Sequence, residues 1–194
     1  MDNICGVVLN GGGSTRMGED KSTLALKGKT SIERVTSVLS VIAPNLVISQ
    51  SELHPVYPVI PDIFLDAGPL GGLHAVMKKR NESWFVVSAC DTPFINQEVY
   101  EHLLSYRGEQ TDAIIPIHEG RLHPLSGIYH KRTLPILECY LSNGGRRVQG
   151  FLDQIQTVTV ESISNTGGRT SHFFNMNTQL DYKEAKEWVE KVRR

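Results

Sequence analysis

The residues best suited to chemistry form a glycine-rich loop near the N-terminus, where residues 9–21 read LNGGGSTRMGEDK. Consecutive glycines let a backbone take positive φ or approach a ligand closely, and phosphate is a common ligand of such loops. Arg16 and Lys21 follow the glycines and could neutralise charge that develops during phosphoryl or nucleotidyl transfer. The combination predicts a polyphosphate-binding loop; the alternative is a flexible connection between a strand and a helix.

Neither standard glycine motif fits this loop. The Walker pattern GxxxxGK[ST] requires Lys and then Ser or Thr after Gly18, where the chain has Glu19 and Asp20. The dinucleotide pattern GxGxxG, started at Gly11, requires glycine at position 16, which is arginine. Both motifs are therefore rejected.

Two aspartates follow predicted strands. Asp91 comes directly after the apolar stretch 84–90 (WFVVSAC), and Asp62 follows the stretch 55–60. Mg²⁺ needs only one or two protein carboxylates when substrate phosphates supply further ligands. We therefore expect Asp91 to bind Mg²⁺; the alternative for Asp91, as for Asp62, is an aspartate that only stabilises its turn.

The elements that would position these residues alternate between strands and helices. Strands are predicted at 4–9, 46–49, 55–60 and 84–90, and helices at 31–42, at about 73–80 and after Asn96. This order predicts an α/β fold, a three-layer α/β/α sandwich with a mostly parallel sheet. Ligands of such sheets bind outside the carboxyl ends of the strands, so we expect the glycine loop, Asp62 and Asp91 to share one edge.

The second half of the chain is less regular. It is predicted to contain a strand at 113–117, a turn at 118–121, a returning strand at 125–130 and a helix at 134–141. A short helical stretch that starts at 151–152, a strand at 157–160, a mobile loop at 165–169 and a closing helix at 180–192 are predicted to follow. No internal repeat or linker interrupts the pattern. A single domain over residues 1–194 is expected.

Composition narrows the class of protein. A chain of 194 residues suits one well-buried domain, and a net charge of −1 offers no basic face for nucleic acid. The apolar runs are too short to span a membrane, and the N-terminus does not read as a signal peptide. Three widely spaced cysteines and the irregular spacing of the histidines at 118, 123 and 130 favour neither a disulfide framework nor a zinc site. We expect a cytoplasmic protein.

The pattern LxGGxSxRMGxDK over residues 9–21 resembles the signature of nucleotidyltransferases that use nucleoside triphosphates and, within them, of the molybdenum cofactor guanylyltransferases (MobA family). CDTP at 90–93 and GPLGG at 68–72 resemble two further family segments, and the resemblance extends from residue 7 to residue 177. The family usually has alanine where this chain has Asn10, beside the expected guanine pocket, and often has asparagine where this chain has Ser49.

The resemblance implies a Rossmann-like fold of the nucleotide-diphospho-sugar transferase type, with a nucleotide-binding half over 1–110 and a pterin-substrate half over 111–194. It implies transfer of GMP from GTP to the terminal phosphate of molybdenum-molybdopterin, with Mg²⁺ as cofactor. Cofactor-delivering and molybdoenzyme-maturation proteins would be partners, and neither nucleic acid nor a membrane is implied. The alternatives are a cytidylyltransferase acting on the molybdenum cofactor or on a sugar or polyol phosphate, and a non-catalytic nucleotide-binding regulator.

The resemblance also assigns the site residues. Catalysis falls to Arg16, Lys21 and Asp91, with Asp91 as the metal ligand. The expected nucleotide-binding residues are Leu9, Asn10, Gly11, Gly12, Gly13, Lys21, Asp62, Gly68, Gly72 and Asp91. The expected pterin-substrate residues are His123, Arg146, Arg147, Asn175 and Asn177.

Overall fold

The computed structural model describes residues 3–11, 25–161 and 170–191. Its strands are β1 (Ile4–Leu9), β2 (Ala25–Leu26), β3 (Lys29–Thr30), β4 (Asn45–Ser49), β5 (Val59–Ile60), β6 (Trp84–Ala89), β7 (Ala113–His118), β8 (Arg121–Leu122), β9 (Ile128–His130) and β10 (Thr157–Val160). Its α-helices are α1 (Ser31–Ile42), α2 (Pro69–Lys79), α3 (Gln97–Leu104), α4 (Leu134–Ser142), α5 (Val148–Leu152) and α6 (Gln179–Lys191).

Most strands form one sheet, in the order β10-β7-β9-β6-β1-β4-β5, with β8 paired to β7. β1 is parallel to β4 and β6, β4 to β5, and β7 to β10. β9 is antiparallel to both of its neighbours, β6 and β7. The predicted α/β fold with a mostly parallel sheet is confirmed.

Helices cover both faces of the sheet, and β1 is therefore buried on both sides. Its residues alternate between two hydrophobic clusters, with Val8 packed in the cluster that contains residues of α1 and α3 and Val7 in the cluster that contains residues of α2 and α4. Alternation with period two is what a strand produces when both faces meet apolar neighbours. The predicted three-layer arrangement follows from this pattern.

Local capping signals start three helices where the sequence places them. Thr30 Oγ1 accepts from the Glu33 N–H at 3.2 Å while Glu33 Oε2 accepts from the Thr30 N–H at 2.7 Å, which is the reciprocal capping box. Asn96 Oδ1 accepts from the Glu98 N–H at 2.9 Å and begins α3. The same device, between Thr178 and Asp181, precedes α6.

Three predictions about elements are wrong. α2 begins at Pro69, not at 73, so the GPLGG segment is the N-cap and first turn of a helix rather than a loop. β5 is only Val59–Ile60 at the edge of the sheet, because the prolines on either side cannot donate backbone hydrogen bonds. Residues 124–126 form a 3₁₀ turn, so β9 starts only at Ile128 and not at the predicted residue 125.

The predicted loop at 165–169 lies outside the described residues. Within the described ranges, no helix combines the length and apolar character needed to cross a bilayer.

Candidate active site

Neighbouring strands end at the same level on one side of the sheet. Leu9, the last residue of β1, is in register with Ser49 of β4 and with Ala89 of β6. Ile60 of β5 is in register with Ser49. The segments that follow these strands therefore start from a common edge, which we call the carboxyl edge.

The predicted ligand-binding segments all leave the sheet at the carboxyl edge. The glycine loop follows β1, Asp62 comes shortly after β5, and Asp91 comes shortly after β6. The strand pairing continues into the loop, since the Asn10 N–H donates to the Ser49 carbonyl oxygen at 2.9 Å. The start of the glycine loop, Asp62 and Asp91 thus share one edge, as the topology of the predicted sheet requires.

Asp62 is oriented by Ser49. The buried Ser49 hydroxyl donates to Asp62 Oδ1 at 2.9 Å, and Asp62 itself is half-buried. Burial raises the pKa of the Asp62 carboxyl, and the hydrogen bond from Ser49 partly opposes that rise. Asp62 Oδ2 makes no hydrogen bond with the part of the chain that the structure describes, so this oxygen is available to a ligand.

Glycines let the first turn of α2 pack directly on this pair. A Cβ added at Gly71 would lie 2.9 Å from Asp62 Oδ2, and one added at Gly72 would lie 2.5 Å from Ser49 Oγ. On the other side, a Cβ at Gly11 would lie 3.8 Å from Asp62 Oδ2. Gly11 and Gly72, both predicted as nucleotide residues, therefore lie against the Ser49–Asp62 pair.

Gly68, the remaining glycine predicted to bind the nucleotide, begins α2 with φ of +58°. An L-residue with a side chain is strained in that conformation, so glycine is the suitable residue at this N-cap. Because α2 packs on Ser49 and Asp62 through its first turn, its N-terminus lies at the carboxyl edge. The backbone N–H groups of a helix N-terminus favour anions.

Asn10, the position where the family usually has alanine, is joined to Gln50. Asn10 Nδ2 donates to Gln50 Oε1 at 2.7 Å, and Gln50 Nε2 donates to the Glu52 carbonyl oxygen at 2.6 Å. Because a backbone carbonyl can only accept, this chain of bonds fixes which end of each side-chain amide is the donor. Asn10 therefore ties the start of the glycine loop to the segment after β4.

Asp91 lies in a turn that backbone and hydroxyl bonds hold. Thr92 Oγ1 donates to the Ala89 carbonyl oxygen at 2.7 Å. The Asp91 carbonyl oxygen accepts from the Met176 N–H at 2.8 Å. Neither bond uses the Asp91 carboxylate, so the turn has anchors that are independent of that group.

The carboxylate of Asp91 suits an Mg²⁺ ion whose coordination is completed by a nucleotide. Asp91 is half-buried at the carboxyl edge, and the residue before it, Cys90, donates its N–H to the Leu9 carbonyl oxygen at 3.1 Å, beside the start of the glycine loop. In the described residues, no group of three or more His, Cys, Asp or Glu side chains is arranged to hold a metal. A single carboxylate beside the start of a loop that is predicted to bind phosphate fits a metal shared with substrate phosphates and water.

The segment that contains Asn175 and Asn177 lies beside Asp91. Met176, between them, donates its backbone N–H to Asp91 and buries its side chain in a cluster with Leu26 and Ala185. Asn175 and Asn177 are exposed. The structure thus brings both predicted pterin-side asparagines close to the predicted metal ligand.

His123 belongs to an aromatic group centred on Phe173. The ring centroids of His123 and Phe173 are 4.3 Å apart, and His118 stacks on Phe173 at 4.9 Å. His172, the neighbour of Phe173, is wholly buried, and its Nδ1 accepts from the Asn96 N–H at 2.8 Å. Burial lowers the pKa of His123, and lowers that of His172 to about 3. His118 and His123, which are half-buried, are the members of this group that a ligand could reach.

Arg146 and Arg147 follow α4. Arg146 Nη1 donates to the carbonyl oxygens of Leu141 at 3.0 Å and Gly145 at 2.7 Å, which caps the end of the helix. The Arg147 carbonyl oxygen accepts from the Tyr140 hydroxyl at 2.9 Å. Both arginines are exposed, but the guanidinium of Arg146 is already engaged, so Arg147 is the better placed of the two to bind a phosphate.

Four predicted residues, Gly12, Gly13, Arg16 and Lys21, lie outside the described residues. Sequence reasoning also gave no individual role to three contributors, namely Gln50, Phe173 and Gly71, the last of which it covers only as part of the GPLGG segment. A signal existed only for Gly71, because proline after glycine is typical of a helix start and would have placed the two glycines inside α2.

The sheet topology and the carboxyl-edge site define a nucleotidyltransferase of the Rossmann-like type. The solved structure of molybdopterin-guanine dinucleotide biosynthesis protein A from Archaeoglobus fulgidus has a TM-score of 0.83 and 28% identity, covering 96% of this chain and 99% of that one. The structure of 2-C-methyl-D-erythritol 4-phosphate cytidylyltransferase from Thermus thermophilus has a TM-score of 0.71, covering 95% of this chain and 98% of that one, but only 12% identity, so it shares the fold alone.

The family model of the MobA-like NTP transferase domain matches residues 6–158, and the chain belongs to this family. A relative from Bacillus cytotoxicus, named probable molybdenum cofactor guanylyltransferase, is 32% identical over 193 residues, covering 95% of this chain and 96% of the relative. The resemblance given by the glycine loop is therefore confirmed at the level of the family.

Proposed function

We propose that this chain transfers GMP from GTP to the terminal phosphate of molybdenum-molybdopterin, forming molybdopterin guanine dinucleotide and releasing pyrophosphate. The observation that carries the proposal is full-length similarity to relatives named for guanylyl chemistry on this cofactor. The grouping of the start of the glycine loop with Asp62 and Asp91 at the carboxyl edge supports it with a suitable site.

In the proposed reaction, an oxygen of the molybdopterin phosphate forms a bond to the α-phosphorus of GTP. The bond between that phosphorus and the oxygen bridging to the β-phosphate breaks, and pyrophosphate leaves with the electron pair. The attacking phosphate is already anionic, so the protein needs no general base and contributes positioning and electrostatics.

Asp91 would hold Mg²⁺, which supplies positive charge to the phosphate oxygens when bound. Arg16 and Lys21 follow the glycines in the sequence and would bind the triphosphate and the departing pyrophosphate. Asp62 Oδ2, whose partner oxygen is oriented by Ser49, would accept from the N–H donors of the guanine base.

The second substrate would bind against the other half of the chain. The half-buried rings of His118 and His123 pack around Phe173, and a flat pterin ring could stack on them. Asn175 and Asn177 lie beside Asp91, and Arg147 is exposed for a phosphate.

We propose one domain over 1–194, with the nucleotide in the half 1–110 and the pterin in the half 111–194. β9, from the second half, pairs with β6 of the first, which supports a single unit.

The alternative of a cytidylyltransferase keeps the scaffold and changes the base. The cytidylyltransferase structure supports it by fold alone, at 12% identity, whereas the more similar relatives carry names with guanine or guanylyl. Guanine is therefore the preferred base.

We place the enzyme in the cytoplasm, where GTP and Mg²⁺ are available, with cofactor-delivering and molybdoenzyme-maturation proteins as partners.

Calorimetry with GTP, CTP and ATP in the presence of Mg²⁺ tests the proposal. Wild-type protein should bind GTP selectively. Lys21→Ala should weaken GTP binding by about tenfold or more, because it removes one charge-assisted contact to phosphate. Lys183→Ala, an exposed lysine of α6, is the matched control and should bind normally.

Release of pyrophosphate on addition of molybdopterin separates transfer from simple nucleotide binding. Selective CTP binding would move the chain to the cytidylyl alternative. GTP binding without pyrophosphate release would favour a regulator, and absence of binding to any of the three nucleotides would contradict the proposed site itself.

A further inference from the structure

A second cleft, of about 500 Å³, opens beside α1. Arg34, Ser37 and Val38 line it from α1, and their spacing of three and four residues places them on one face of that helix. The segment 93–97, which follows the Asp91 turn and leads into α3, also lines the cleft. The Ser49–Asp62 pair packs on α2, in the other helical layer, so the cleft is separate from the proposed nucleotide pocket.

The charged residues that line the cleft in the described ranges are both cations, Lys29 and Arg34. Glu33 lies next to Arg34 in the chain, but its carboxylate is engaged by Thr30 in the capping box and does not line the cleft. The cleft therefore has a positive side without a carboxylate to balance it.

Arg34 has only part of its hydrogen-bonding capacity satisfied. Its Nη2 donates to the Leu26 carbonyl oxygen, while its Nε is buried and has no hydrogen-bond partner. No ion pair of Arg34 with a carboxylate occurs among the described residues. Burial lowers the pKa of the Arg34 guanidinium, with no neighbouring carboxylate to oppose it. A partly buried cation without a counter-charge is unfavourable, and a bound anion would correct this.

The rest of the lining combines donors with an apolar wall. Ser37, Asn96 and Ser171 contribute hydroxyl and amide groups, and Asn96 Oδ1 is already used by the Glu98 N–H, which leaves the amide nitrogen as a donor. The apolar lining residues are Val38, on the α1 wall, and Pro93, Phe94 and Ile95. Such a mixture suits a ligand with an anionic group on a hydrophobic body, and the volume is within the range of small-molecule sites.

We propose that this cleft binds a small organic oxyanion, a phosphate or a carboxylate carried on an apolar body. Arg34 and Lys29 bind the anionic group, and the hydrophobic wall around Phe94 contacts the body. The proposal does not depend on the identity of the transferred nucleotide, because it uses neither the glycine loop nor Asp62.

Phenyl phosphate and inorganic phosphate are the probes that test this site. Each is titrated at constant ionic strength into the ¹⁵N-labelled full chain, and the backbone amide signals of Ser37, Val38 and Gln97 are followed. Phenyl phosphate should shift these signals and should bind more tightly than inorganic phosphate. Arg34→Gln and Lys29→Gln should each raise its Kd by about tenfold, the effect of one lost charge-assisted contact.

Two controls make the result decisive. Lys183→Gln, an exposed substitution on α6, should leave the titration unchanged. Lys21→Ala should also leave it unchanged, because phosphate bound at the glycine loop would depend on that lysine. Lys29→Gln serves as the second test if Arg34→Gln, which loses the bond to Leu26, lowers the melting temperature.

Unchanged binding in both Arg34→Gln and Lys29→Gln overturns the proposal. Loss of the amide shifts in Lys21→Ala alone also overturns it, since the probes would then occupy only the glycine loop. Equal affinity for the two probes overturns the role of the apolar wall. None of these outcomes bears on selective GTP binding, so this site and the proposed function can fail separately.

Discussion

The Ser49 hydroxyl donates a hydrogen bond to Asp62 Oδ1 at 2.9 Å, joining the end of β4 to the segment after β5. The hydroxyl is buried, and the first turn of α2 closes over the pair at Gly71 and Gly72. The orientation of Asp62 therefore depends on how closely a helix can approach two strand ends.

Gly72→Ala should lower the free energy of unfolding by about 1–3 kcal/mol. Alanine normally favours a helix over glycine by about 1 kcal/mol, but this Cβ would lie 2.5 Å from Ser49 Oγ and 2.9 Å from Leu9 Cδ2. The clash should displace the Ser49–Asp62 pair and weaken GTP binding as well. Urea unfolding and calorimetry measure the two effects.

Gly108→Ala is the matched control, since its Cβ meets only Thr111 Oγ1, at 3.2 Å, in an exposed turn. It should change neither GTP binding nor, by more than about 0.5 kcal/mol, the stability. A Gly72→Ala protein as stable as Gly108→Ala, with normal affinity for GTP, would show that α2 can move away from β4.

Asp62→Asn should raise the melting temperature at pH 7 and weaken the binding of GTP. Burial raises the pKa of Asp62, so its contribution to stability is present below the unfolded pKa, about 3.9, and is lost as the pH rises through the folded pKa. Asparagine keeps an acceptor for Ser49 but never ionises. At pH 7 the variant should melt higher, by a few degrees at most, while its affinity for GTP falls about tenfold or more because the carboxylate is gone.

The gain in melting temperature should disappear when both proteins are unfolded at a pH below about 3.5. Asp153→Asn, at an exposed aspartate that follows α5, should lack both effects. A lower melting temperature for Asp62→Asn at pH 7 would mean that the ionised carboxylate stabilises the fold.

The strands of the carboxyl edge were predictable because their signal is local. β1 and β6 are continuous apolar runs, and the glycine loop and the turn before Pro93 mark their ends. The start of α2 was predicted too late because Gly71 and Gly72 have poor helix propensity. Close packing on Ser49 and Leu9 requires residues without a side chain at that place, and tertiary contact therefore outweighs propensity.

The edge shared by the glycine loop, Asp62 and Asp91 was predictable from a general rule of parallel sheets, whereas the contacts within the site were not. Asn10 meets Gln50 from a different strand end, and His123 meets Phe173 from a distant segment. Pairs of polar or aromatic side chains far apart in the chain leave no periodic pattern in a single sequence.

The Asn10–Gln50 bond should contribute to stability without selecting the base. Asn10→Ala and Gln50→Ala should each cost about 0.5–1.5 kcal/mol, with Gln50→Ala the larger because it also loses the bond to the Glu52 carbonyl oxygen. The double variant should cost little more than Gln50→Ala, because that variant already lacks the Asn10–Gln50 bond. Since Asn10 Nδ2 is committed to Gln50, the ratio of GTP to CTP affinity should stay within about twofold. A double-mutant cycle by urea unfolding and nucleotide calorimetry measure these quantities. A large change of that ratio in Asn10→Ala but not in Gln50→Ala would make Asn10 a base-reading residue.

His172 should make the fold sensitive to acid. The pKa of His172 is lowered to about 3 because the ring is wholly buried. The contribution of the neutral ring to stability is therefore present above the pKa of the unfolded state, about 6.5, and is lost as the pH falls toward the folded pKa. Because the unfolded state binds a proton over this range, the free energy of unfolding should fall by about 2 kcal/mol between pH 7 and pH 5. His172→Asn, which keeps an acceptor for the Asn96 N–H, should show a smaller loss over this range in urea unfolding. His102→Asn on α3 is the control; a pH slope as steep in His172→Asn as in wild type would contradict the assignment.

Asp91→Ala should abolish transfer while leaving the fold intact. The Asp91 turn keeps its bonds from Thr92 and Met176, neither of which uses the carboxylate, so the free energy of unfolding should change by less than about 1 kcal/mol. Loss of the proposed metal ligand should lower kcat by at least about a hundredfold, since bound metal stabilises transition-state charge by several kcal/mol. Pyrophosphate release measured against Mg²⁺ concentration tests this, with Asp153→Ala expected to behave as wild type. Near-normal turnover of Asp91→Ala at saturating Mg²⁺ would show that the metal is held elsewhere, because a protein ligand cannot be removed without raising the concentration of metal that the reaction requires.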